Sequence, residues 1–170
     1  AEQRGLAKIE FRPEVQQAMS DPQILAQVNN QRQLFESRRQ ALQADLQGME
    51  EAIGGLKAQR DASQEVLAQR QKQLAILQDE LKNMRELVKD GYAPRNRQSE
   101  LERMQADTQA SIAELSGAVL RATSSMAELN QRMLARQSEY RKEVETQLAD
   151  VAREVQADAE KYVAQKQDLQ

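Results

Sequence analysis

Glu86-Leu87-Val88-Lys89-Asp90-Gly91-Tyr92-Ala93-Pro94-Arg95 is the stretch on which the chain must reverse. Gly91 is free to take the left-handed conformation that ends a helix. Lys82, Arg85 and Lys89 lie in the turns before it, where the helix dipole favours cations. Pro94 suits the first turn of a following helix, because its missing N–H is an orphan there. Ser99 with Glu102 forms a rival capping box, which would start that helix a few residues later. So short a link between two helices makes them antiparallel neighbours.

Working outward, both arms carry helical periodicity. Asp21 is a good N-cap and Pro22 occupies the first helical position, so the first arm starts there. Two seven-residue series follow. One is Val28, Phe35, Leu42, Met49, Leu56, Ser63, Arg70, Leu77 and Met84; the other is Leu25, Arg32, Arg39, Leu46, Ile53, Arg60, Leu67, Leu74, Leu81 and Val88. Their steps alternate three and four, as the seam of a coiled coil requires. Arg60, Ser63 and Arg70 weaken the seam without breaking its register. The second arm repeats the pattern with Leu101, Thr108, Leu115, Ala122, Leu129 and Arg136, and with Ile112, Val119, Met126, Met133 and Tyr140. Tyr140, Val144, Leu148 and Val151 then slip by a stutter, and Val155 and Tyr162 continue the stripe.

The expected fold is therefore all-α: a long antiparallel two-helix coiled-coil hairpin behind a short lead-in. The lead-in spans residues 1–20 and the hairpin 21–170, with arms at about 21–90 and 94–166 and a tip at 90–94. In the lead-in, Ala1 to Arg4 reads as a helix end stopped by Gly5. Ile9, Phe11 and Pro13 read as an irregular stretch, since Pro13 disfavours a helical Arg12. Each arm would reach roughly 100 Å. Folding about Tyr92 sets residue i level with residue about 184 − i, which places Arg70 near Glu114. Two helices leave much of their surface open, so partners are expected along the sides as well as at the tip.

Composition agrees. Aromatic residues make up 3% and Trp is absent, while 30% of residues are charged. A globular core normally relies on large rings, whereas this mixture is that of long helices. The net charge of −3 gives no electrostatic reason for nucleic acid. Cysteine and histidine are both absent, which removes disulfides, thiolate metal sites and the commonest general base. Paired carboxylates such as Glu50-Glu51 have no cleft to raise a pKa. The methionines read as seam fillers rather than metal ligands. No catalytic, cofactor or metal site is expected. No apolar run is long enough to span a bilayer. The chain starts and stops in mid-pattern, which suggests a piece of a longer protein.

Candidate function concentrates at the turn. Tyr92 is one of five aromatic residues and would stand at an exposed apex. Arg95 and Arg97 lie near a helix N-terminus, where the dipole opposes positive charge. Exposed Tyr and Arg are typical interface anchors. Leu87, Asp90, Gly91, Tyr92, Ala93, Pro94 and Arg95 are the candidate docking tip. Gly54-Gly55 costs about 2 kcal/mol of helix propensity relative to Ala; the readings there are a tolerated weak spot, a close helix approach or a hinge.

The turn phrase 86–95 followed by Leu101-Glu102-Arg103, with Arg4-Gly5, Ile9-Glu10-Phe11-Arg12-Pro13 and Leu34-Phe35-Glu36-Ser37-Arg38, resembles HlyD-type membrane fusion proteins of type I secretion systems. Within that family it is most similar to the fusion proteins of protease exporters. The resemblance implies a periplasmic adaptor anchored in the bacterial inner membrane through a segment outside this chain. Such an adaptor, usually six copies, joins an ABC transporter, through its other domains, to a TolC-like outer-membrane channel met by the tip. Drug-efflux adaptors carry an Arg, Leu and Ser signature at the tip. Only Leu87 matches it, since Asn83 and Pro94 stand in the other two places. The alternatives are a structural coiled-coil spacer without tip docking and, further off, a lipid-surface helical dimer, which would need a basic concave face.

Overall fold

The computed structural model describes residues 1–168. A 3-10 turn at Glu2–Arg4 opens the chain, followed by α1 (Pro13–Ala18), α2 (Pro22–Lys89) and α3 (Arg95–Asp168). Among the described residues there is no strand, and no helix is long and apolar enough to cross a membrane. The architecture is the long helical hairpin expected, with a short lead-in.

Local chemistry sets the boundaries. The N–H of Gln23 donates to Asp21 Oδ1 at 2.8 Å, and that of Leu25 to Asp21 O at 2.9 Å. Asp21 thus satisfies one of the orphan donors at the start of α2. Gly5 closes the 3-10 turn with φ 65°. Pro13 differs from expectation: it begins α1 instead of lying in an irregular stretch, with Arg12 extended at ψ 152° as the residue before it. The restriction on Arg12 was correctly placed, and a proline at the first helical position starts a helix as readily as it ends one.

The chain forms two compact units, Glu50–Asn130 and Ala1–Met49 with the chain from Gln131 onward. In the Glu50–Asn130 unit the seam is laid down as the two series require. Leu77 and Leu81 of α2 cluster with Leu101 of α3, and Met84 packs against them. Leu81 and Leu101 are only 2% exposed. Thr108, Ala122 and Met126 are buried along α3, and Thr108 returns its hydroxyl to Met104 O at 2.8 Å, so its burial leaves no orphan donor. Gly54 and Gly55 leave α2 unbroken, and a methyl group on either would meet nothing within 4 Å. Close approach inside the chain therefore does not explain them. Arg70 is exposed and donates to Gln73 Oε1 at 2.9 Å on its own helix, not to Glu114. A partner one turn away costs less side-chain entropy to hold than one across the seam.

In the other unit the lead-in lies along α2. The Arg32 guanidinium stands 5.4 Å from the Phe11 ring centroid, and Arg39 Nη1 donates to Ala7 O at 2.8 Å. Glu2 touches both arms, accepting from the Tyr140 hydroxyl at 3.2 Å and facing Arg38 at 3.6 Å. Arg38 also donates to Gln147 Oε1 at 2.6 Å, and Arg136 pairs with Asp45 at 3.0 Å. Val28, Phe35 and Val144 are buried here. The stripe expected to continue the seam does not: Leu148, Val151, Val155 and Tyr162 are all exposed. Residues level with them on α2 include Val28 and Phe35, which are nonetheless buried. Ile9 borders the same crevice as Arg32 and Phe35.

Truncating Leu81 or Leu101 to Ala should destabilise the hairpin by about 2–5 kcal/mol, because each leaves a void in a tight cluster. Arg70→Ala should change the melting temperature little. Thermal melts followed by circular dichroism at 222 nm compare the three.

Candidate docking tip

The turn is built almost wholly from backbone. Gly91 takes φ 80°. Its N–H donates to Val88 O at 3.2 Å, and the Tyr92 N–H to Leu87 O at 2.8 Å. Those two bonds, one nested in the other around a left-handed residue, are a Schellman motif and satisfy carbonyls that α2 would otherwise leave bare. Beyond the turn, the Arg97 N–H donates to Pro94 O at 3.2 Å, and α3 is under way from Arg95. The rival start at Ser99 is not used: its hydroxyl donates back to Arg95 O at 3.2 Å, inside the helix.

This geometry presents the candidate residues unequally. Tyr92 is 81% exposed and Leu87 is exposed on the last turn of α2. Asp90, Gly91, Pro94 and Arg95 are exposed, whereas Ala93 is half-buried. Two charges sit against their helix dipoles. Asp90 lies at the C-terminal end of α2 and Arg95 at the first position of α3, where each sign is disfavoured by about 0.3–1 kcal/mol. Arg97 has a local role, pairing with Glu100 at 2.9 Å.

Sequence reasoning missed the polar clasp beneath the turn. Glu102 Oε1 accepts from Gln98 Nε2 at 3.1 Å and from Arg85 Nη2 at 3.2 Å, the latter across the arms. The Gln98 bond first, then Arg85, hold the Glu102 carboxyl below its ordinary value. The four-residue spacing of Gln98 and Glu102 was the available signal. The clasp fixes which side of the seam the two arms share next to the tip.

With the fold in place, its relatives can be read. A family model described as AprE, long alpha-helical hairpin, matches residues 1–168. The chain belongs to the AprE helical-hairpin family. It is 34% identical over 151 residues to the proteases secretion protein PrtE of Dickeya chrysanthemi, covering 89% of the chain and 34% of PrtE. It is 34% identical over 120 residues to the alkaline protease secretion protein AprE of Pseudomonas aeruginosa, covering 71% of the chain and 28% of AprE. The soluble domain of LipC, a membrane fusion protein of a type I secretion system, superposes with a TM-score of 0.82 at 35% identity, covering 88% of the chain and 70% of LipC's. The chain spans about a third of the length of the curated relatives it matches. AprE-family membership accounts for the lead-in, both arms and the turn together, because the matched span includes all of them.

Two outcomes are expected. Gly91→Ala should cost about 1–2 kcal/mol, since a Cβ is strained at positive φ; denaturant titration measures it. Glu102 should titrate below an ordinary glutamate by NMR, and Gln98→Ala should move its midpoint upward. A lowered pKa stabilises the fold above the unfolded-state value and loses that contribution as pH falls through the folded one.

Proposed function

We propose that this chain is the hairpin of a periplasmic adaptor for type I protein secretion. The adaptor stands in several copies, six by family resemblance, between an inner-membrane ABC transporter and a TolC-like outer-membrane channel. Its anchor and its contacts to the transporter belong to segments outside this chain, and its cargo is of the protease class named for PrtE and AprE. The tip meets the channel.

The observation that carries the reading is the exposed Tyr92 on a turn whose backbone is already saturated with hydrogen bonds. An aromatic ring held in water at an apex contributes nothing to folding. Its amphipathic body suits an interface, where such residues dominate binding. Asp90 and Arg95 support it: each is placed against its helix dipole, so local stability does not select them. Leu87, exposed one turn below, adds an apolar contact on the same approach.

Leu87→Asp and Tyr92→Asp in the full-length protein should leave helicity and melting unchanged while abolishing secretion of the cognate substrate into the medium. Undiminished secretion by both variants would refute docking through the tip.

A further inference from the structure

The chain has six glycines, and three of them, Gly48, Gly54 and Gly55, fall close together in α2. The other three have local reasons. Gly5 and Gly91 take positive φ, and a Cβ on Gly117 would crowd Arg121 Nη1 at 3.2 Å. The cluster in α2 has no such reason. Its glycines lie in unbroken helix, none takes positive φ, and a methyl group on any of them would meet nothing within 4 Å. Alanine would fit each place and hold the helix better, because glycine leaves the backbone more freedom to lose. That freedom is what the three glycines supply.

Two further observations fall on the same stretch. The seam there is thin. Between Phe35 and Leu77 no residue of α2 is buried, and Met49, Ile53 and Leu56, the seam residues among the glycines, are only half-buried. Few packed contacts hold such a stretch straight. The two compact units also divide here, one taking α2 as far as Met49 and the other starting at Glu50. Sharp bends in helices concentrate at glycine, and this cluster lies where packing resists a bend least. α3 has no glycine beyond Gly117, so its share of a bend is spread as the gentle curvature of a long helix.

We propose that residues 48–55 are a hinge in α2, about which the hairpin flexes to steer its tip onto a partner. The lever is long. A bend of about 10° shifts a tip roughly 40 residues further along by about 10 Å. That the tip has a partner to reach rests on the reading of the chain as an adaptor hairpin; the flexing itself does not.

Spin labels test it, because the chain has no native cysteine. Gln40→Cys and Gln69→Cys, both at exposed positions, put labels on either side of the cluster, roughly 44 Å apart on a straight helix. Double electron–electron resonance should give a distance distribution about twice as wide in the native sequence as in the triple variant Gly48→Ala, Gly54→Ala, Gly55→Ala. In the full-length protein the triple variant should secrete several-fold less substrate despite a higher melting temperature. Adding Ala44→Gly, Ala52→Gly and Ala58→Gly, all at exposed neighbouring positions, returns the backbone freedom and should restore both width and secretion. Equal widths in the native and triple-variant chains overturn the hinge. Undiminished secretion by the triple variant overturns it too. So does restored width without restored secretion, because the glycines would then serve a contact surface and not a bend. Tyr92→Asp should leave the width untouched, so failure of the docking reading shows in secretion alone, whereas failure of the hinge shows in the width.

Discussion

The hairpin exists because two amphipathic helices of modest hydrophobicity can only bury their stripes against each other. Leu77, Leu81 and Leu101 show the result, a thin cluster of aliphatic side chains with Met84 packed against it. The seam has no second layer. Any apolar residue outside it stays in water unless another molecule or another segment covers it, so the surface chemistry follows from the seam's narrowness. A globule of the same length would hide such residues; this fold displays them.

The seam was legible because it is periodic, and periodicity survives local substitutions. Ser63 and Arg60 lie half-buried in it without disturbing register. The caps were legible because Asp21 and Gly91 act through their own backbone geometry. What escaped notice depends on tertiary choices that spacing does not encode. Arg70 had a partner across the seam and another one turn away, and helix neighbours won. The stripe at Leu148–Tyr162 had the right spacing but is exposed, while the lead-in, which carries no period to read, lies against α2 at Arg32 and Arg39. The clasp of Gln98, Glu102 and Arg85 needed the register of the two arms before its cross-arm member was visible.

The candidate tip was legible for a different reason. Tyr92 and Arg95 each break a local rule, exposure for the ring and dipole sign for the charge; the same conflict at Asp90 came only with the helix bounds. Rules are broken cheaply where something outside folding selects the residue. Arg97 looked like a third case until its pairing with Glu100 gave it an ordinary local explanation, so geometry was needed to separate it from Arg95.

The nested hydrogen bonds of the turn have a kinetic side. With the N–H groups of Asp90, Gly91 and Tyr92 all engaged, the apex has little backbone freedom left to surrender when it meets another surface. A phenol ring mounted there has two torsions to freeze, about 0.5–1.5 kcal/mol of ordering, where a floppy loop would forfeit that much for several residues. Any encounter at such an apex would turn on orientation, because the contact could form without the backbone first having to fold.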